Sequence, residues 1–140
     1  AKNFIRVQES YFTAVKYGFI LMIISGSIIF LSADKIVGIF SDNPVVISYG
    51  TTYLKISALI FPAYPIFFIS NGFFMAIKKS KNSMYLNVIR NIILPIPTIL
   101  AANAIDGSFE TFFWCYCFAN WFYVLCLFAY VRSYIKKKIL

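Results

Sequence analysis

Apolar residues in this chain fall in four long runs, and the stretches between them hold most of its charge. The first run, Tyr11–Leu31, has 21 residues interrupted only by Lys16 near its start. The second, Leu54–Ile77, has 24 residues and a single charge, Lys55, at its beginning. At about 1.5 Å per residue, 24 helical residues reach about 36 Å, more than the ~30 Å of a bilayer's hydrocarbon core. The third run is Tyr85–Ala104, and the fourth, dense in aromatic residues, is Thr111–Val131. The pattern predicts an all-α integral membrane protein with four transmembrane helices and excludes a soluble bundle.

The breaks between runs refine this reading. Residues 1–10 are the polar lead into the first helix. Asp34–Gly50 reads as a connector with a turn at Ser41–Pro44, and Ser41 or Asp42 is placed to cap a short interfacial helix beginning at Pro44. Asp106, Gly107 and Ser108 make a tight turn before the fourth span. Four prolines lie inside spans: Pro62 and Pro65 in the second, Pro95 and Pro97 in the third. Each removes a backbone donor, so helix kinks are expected at both pairs, tolerated because neighbouring helices satisfy what proline frees. On the first span Ala14, Gly18 and Gly26 form a narrow small-residue face that lets another helix come close.

Charge then gives the spans a direction. The net charge is +8, with 13 basic and 5 acidic residues. A nucleic-acid interface gathers such charge on one solvated face, whereas here it lies between apolar runs, so no nucleic-acid partner is expected. With the amino end inside, Lys2, Arg6, Lys16, Lys78, Lys79, Lys81, Arg90, Arg132, Lys136, Lys137 and Lys138 fall on the cytoplasmic side, and only Lys35 and Lys55 fall outside. Lys- and Arg-rich short loops stay cytoplasmic, which predicts a multi-pass protein of the cell membrane with both ends inside.

Candidate chemistry is sparse. The spans contain no Asp, Glu or His, and Cys115, Cys117 and Cys126 have no histidine to complete a zinc set, so no metal, cofactor or catalytic group is expected and an enzyme reading has no residues to stand on. Arg90 is the one charge of interest within a span, lying five residues beyond Tyr85, from where its guanidinium is expected to snorkel to the cytoplasmic headgroups, with a cargo or helix-pairing role as the alternative. Asn71 in the second span, Asn87 and Asn91 in the third and Asn120 in the fourth are interhelical glue or the wall of a cavity. Tyr116 and Asn120, four residues apart, put a phenol and an amide on one helix face. Asn71, Arg90, Tyr116 and Asn120 are the candidate cargo-cavity residues.

Several stretches resemble the multidrug and toxic compound extrusion (MATE) transporters. AKNFIRVQES resembles the segment after the second helix of each lobe, and IVGIFSDNPVVISYGTTYLKI the outer loop after the third. SNGFFMAIKKSKN is similar to the inner end of the following helix, and LPIPTI to the kink of the next. The resemblance implies that the spans are the ninth to twelfth helices of a twelve-helix, two-lobe transporter. It further implies extrusion of cationic or amphipathic small molecules against inward Na⁺ or H⁺, with the remaining helices of the same chain and the bilayer as partners. The chain, which begins at Ala1, would then be a fragment. The related flippases for lipid-linked sugars share the architecture, and a complete four-helix channel or assembly protein is a further alternative. Many members carry a membrane-embedded acid in the helix matching Leu54–Ile77. Its absence here shifts the coupling role to a carboxylate in the other lobe.

Overall fold

A computed structural model describes residues 2–139, with side chains from 6 to 137. Expectations placed on Ala1, and on the side chains of Lys2 and Lys138, lie outside the described residues. The elements are α1 (Lys2–Phe40), α2 (Pro44–Ile60), α3 (Ala63–Ala76), α4 (Ser80–Val88), a π-helical turn (Ile89–Ile93), α5 (Pro95–Ile105) and α6 (Phe109–Ile139). Three stretches, Arg6–Phe40, Ser80–Ile105 and Phe109–Lys137, are long and apolar enough to cross a membrane, and the bent pair α2–α3 makes a fourth if it is one span.

The segment around Asp34 differs from the expected connector. α1 continues without a break to Phe40, so only Ser41–Asn43 lie outside helix. At 39 residues α1 is about 58 Å long, so it must tilt or project beyond the bilayer. The cap of α2 is neither Ser41 nor Asp42 but Asn43, whose Oδ1 accepts from the Val45 amide at 2.9 Å. Pro44 follows at the first helical position, where its missing N–H is no loss. Ser41 instead supports the cap, its Oγ accepting from the Asn43 amide.

The second apolar run is likewise two helices, α2 and α3, meeting at 48°. Pro62 has no N–H for the Ala58 carbonyl, and Pro65 none for that of Phe61. Tighter bonds replace them: the Phe61 amide donates to Ala58 O at 3.3 Å and the Tyr64 amide to Phe61 O at 3.1 Å. The Leu59 carbonyl, also at the break, accepts from the Trp121 indole at 3.1 Å. Thus α6 reaches across to satisfy the backbone that the break leaves exposed, as a low-dielectric interior requires.

α1 fits the same break from the other side. A Cβ on Gly26 would lie 2.8 Å from Ala58 O, the carbonyl freed by Pro62, and one on Gly18 would lie 2.9 Å from the Pro65 Cβ. The expected small-residue face therefore exists at Gly18 and Gly26, each opposite one consequence of a proline. Ala14, its third member, is exposed and does not take part.

α2–α3 is the centre of the bundle, with α1 on one side and α6 on the other, and α4–α5 packs on α3 and α6. The core joins Tyr11 and Val15 of α1, Ile56 and Ile60 of α2, Phe67, Phe73 and Phe74 of α3, Leu86 of α4, and Val124, Leu127, Val131 and Ile135 of α6. Aromatic pairs run in step along α2 and α6, Tyr49 with Phe109 and Tyr53 with Phe113, so these two helices are parallel. The outward surface stays apolar: Leu31, Phe118 and Phe122 are among its large exposed side chains, as lipid or further helices require.

The α3–α4 connection is a reverse turn. Lys78 has φ +58°, and the Lys79 amide donates back to Phe74 O at 2.8 Å, closing the helix end. In the third span the prolines are preceded by the π-helical turn, in which the Leu94 amide donates to Ile89 O at 2.8 Å. The wider turn gives the Pro95 ring the room that an α-turn denies it.

The close approach at Gly26 has a measurable consequence. Gly26→Ala sets a methyl against a backbone carbonyl and should lower the unfolding temperature in detergent, with a cost of about 1–3 kcal/mol. Gly72→Ala, also helical but with open space at its Cβ, should be neutral or stabilising by about 0.5–1 kcal/mol. Thermal unfolding of the two variants side by side checks the contrast.

Candidate functional site

Polar side chains gather where α3 meets α4 and α6. Nearest the basic turn, Ser83 Oγ donates to Asn71 Oδ1, which also accepts from Asn87 Nδ2 at 3.2 Å. Asn87 Nδ2 further contacts the Ser83 carbonyl at 2.9 Å. Asn71 is therefore a joint between α3 and α4. Asn91 is separated from this joint: it is exposed and donates to the Asn87 carbonyl of its own helix. The π-helical turn begins between Asn87 and Asn91, so a spacing of four no longer keeps residues on one face, and the expected polar stripe is divided.

On the α1 side Tyr11 OH lies 2.8 Å from Ser70 Oγ, which donates its own proton to Ile66 O at 2.6 Å. The tyrosine is thus the donor of the pair. On the α6 side Tyr123 OH donates to Leu86 O at 2.9 Å. All three polar contacts cross between helices.

Arg90 sits one turn further into the membrane and is only 5% exposed. It does not snorkel. Its guanidinium carbon lies 4.2 Å from the Phe67 ring centroid, 4.7 Å from that of Tyr64 and 5.9 Å from that of Phe68. Phe67 precedes Lys78 by eleven residues, about 16 Å along a helix, so the charge stays at this depth and does not reach the basic turn. The π-helical turn holds Arg90 and accounts for its direction, since the extra residue rotates it inward onto α3. Cation–π attraction contributes about 2 kcal/mol or more at a desolvated site, comparable with the ~2.5–3.5 kcal/mol cost of placing an arginine at the centre of a membrane helix. No hydrogen bond or salt bridge to Arg90 is found among the described residues, and all five carboxylates of the chain are exposed.

Asn120 is fully buried, and neither Oδ1 nor Nδ2 has a partner. The Asn82–Tyr130 and Leu86–Tyr123 bonds set α4 antiparallel to α6, which brings Asn120 to about the depth of Arg90. Tyr116, one turn outward, is half-buried, packs against the core and stacks on Phe112 at 6.3 Å.

The four candidate residues therefore have different surroundings among the described residues. Asn71 is a helix joint, Arg90 lies in an aromatic cradle, Asn120 is buried at a similar depth, and Tyr116 packs further out. A groove of about 530 Å³ is lined instead by residues that include Phe19, Gly26, Phe30, Leu59, Pro62 and Trp121, along the α1 side of the break. Tyr64, Phe67 and Phe68 were not among the candidates. Their signal was the aromatic cluster at the prolines, in a span facing the one that holds Arg90.

A polytopic all-α membrane protein with a broken central span and a buried cation near mid-membrane is built as transporters are built. The family model MatE matches residues 1–100, and the chain belongs to this family of membrane transporters. No curated protein and no solved structure matches it.

Proposed function

We propose that this chain is part of the carboxy-terminal lobe of a secondary active exporter, its spans being the ninth to twelfth helices of twelve. In this reading amphipathic organic molecules, the family's cationic drugs among them, leave the cell in exchange for Na⁺ or H⁺. The match to MatE over residues 1–100 carries the proposal. The helix break supports it, since alternating access in such transporters works around discontinuous helices. Arg90, buried without a carboxylate, favours a second reading within the same superfamily, a flippase for lipid-linked sugars whose phosphates are anionic.

The coupling group is proposed to lie outside these 140 residues. Ion movement through a bilayer uses intramembrane Asp, Glu or His, and all five acids here are exposed. In proteoliposomes of the full-length protein, an imposed Na⁺ or H⁺ gradient should drive ethidium flux. Asp106→Asn combined with Glu110→Gln should leave that coupling intact. Loss of coupling with binding and expression unchanged would put the coupling group in this segment.

The orientation, with both ends and the Lys78–Lys81 turn in the cytoplasm, rests on the distribution of basic residues. Single cysteines at Ser80 and Ser108, in a background without the three native ones, should react with an impermeant thiol reagent from opposite faces of the cell membrane. Reaction of both from one face would contradict it.

A further inference from the structure

We propose that Arg90 is an oxyanion-binding residue, and that the cargo class bears a carboxylate or phosphate beside an apolar or aromatic body. This rests on the transporter reading above and favours its anionic-cargo form over cationic drugs. A guanidinium offers two kinds of surface, its flat faces and an edge of five N–H donors. The cradle meets the cation through ring contacts, with Phe67 and Tyr64 at 4.2 and 4.7 Å. No acceptor for the N–H edge is found among the described residues. An arginine kept for packing is expected to spend those donors on carbonyls or a carboxylate, because unpaired buried donors are costly. Here the rings orient the group, and its N–H edge, which is not among the fully buried atoms, remains available.

That edge selects its ligand by geometry. Two parallel N–H donors match the paired oxygens of a carboxylate or phosphate, and water exclusion strengthens the bond. Among the described residues no carboxylate pairs with Arg90, every acid being exposed. Asn120 adds a second unpartnered polar group, fully buried at about the same depth. Phe68, 5.9 Å from the cation and stacked on Tyr64, is 61% exposed and is the outermost ring of the cradle. A flat apolar body can stack on that ring while its anionic end reaches Arg90.

The test is equilibrium binding to the full-length protein in detergent micelles, using 2-naphthoate, farnesyl diphosphate and the cationic analogue 2-naphthylmethylammonium. The wild type should bind at least one anionic probe more tightly than the ammonium. Arg90→Gln should weaken that anion at least tenfold and leave the ammonium unchanged, with Arg90→Lys intermediate because it keeps the charge and loses the fork. Naphthoate binding alone points to free carboxylates and diphosphate binding alone to lipid-linked cargo, and both support the proposal. Preference for the ammonium, or anion affinity unchanged by Arg90→Gln, overturns it. If Arg90→Gln does not fold, equal anion affinity in Arg90→Lys and wild type overturns it instead. Binding needs no ion gradient, so gradient-driven ethidium flux without Arg90-dependent anion binding would defeat this inference and leave the exporter reading standing.

Discussion

Two amide hydrogens are missing from the middle of this fold, and the neighbouring helices are shaped around their absence. Pro62 and Pro65 deprive the central span of its donors to Ala58 and Phe61 in a region where water cannot stand in. The helix tightens locally, bends by 48° and presents backbone sideways. α6 answers with the Trp121 indole on Leu59, and α1 with Gly26 against the Ala58 carbonyl and Gly18 against the Pro65 ring. A straight helix would need neither the glycines nor the indole bond.

The same break places the polar chemistry. Beyond it, α3 carries Tyr64, Phe67 and Phe68 into the middle of the membrane, where the π-helical turn brings Arg90 onto them. Prolines therefore lie behind both halves of the cradle: Pro62 and Pro65 set the direction of the aromatic rings, and Pro95 follows the π-helical turn that holds the cation. Toward the basic turn Asn71, Ser83 and Asn87 tie α3 to α4, holding the cradle's two sides in register.

The bundle was legible because bilayer thickness and charge bias act on composition alone, and the four apolar runs carry both signals. Gly18 and Gly26 were legible for the same kind of reason, since few roles other than close approach place small residues on one face of a membrane helix. The boundary at Asp34 is not legible because polar residues at the end of a long helix read as a connector, whereas Asp34 and Lys35 are part of a helix longer than the bilayer is thick. The cap was assigned to Ser41 or Asp42 rather than Asn43, a shift of one or two positions that the spacing of Ser, Asp and Asn alone does not decide. Arg90 was placed at the headgroups because a regular helix offers its side chain that route. It lies instead in a π-helical turn against the α3 rings, and such a turn has no sequence signature beyond the prolines that follow it. Asn120 is legible as a polar residue of the fourth span and a cavity candidate, but its lack of partners depends on the surrounding packing, which the sequence does not show.

The glycine notch of α1 exists because of the proline break. The direct measurement is a double-mutant cycle of Gly26→Ala with Pro62→Ala, followed by unfolding in detergent. If Pro62→Ala restores the donor to Ala58 and withdraws that carbonyl from α1, the added methyl at residue 26 should cost less in the Pro62→Ala background. The expected coupling is about 0.5–3 kcal/mol, as for residues in contact. Additivity within about 0.3–0.5 kcal/mol would contradict the claim, because the notch and the break would then be independent features of the two helices.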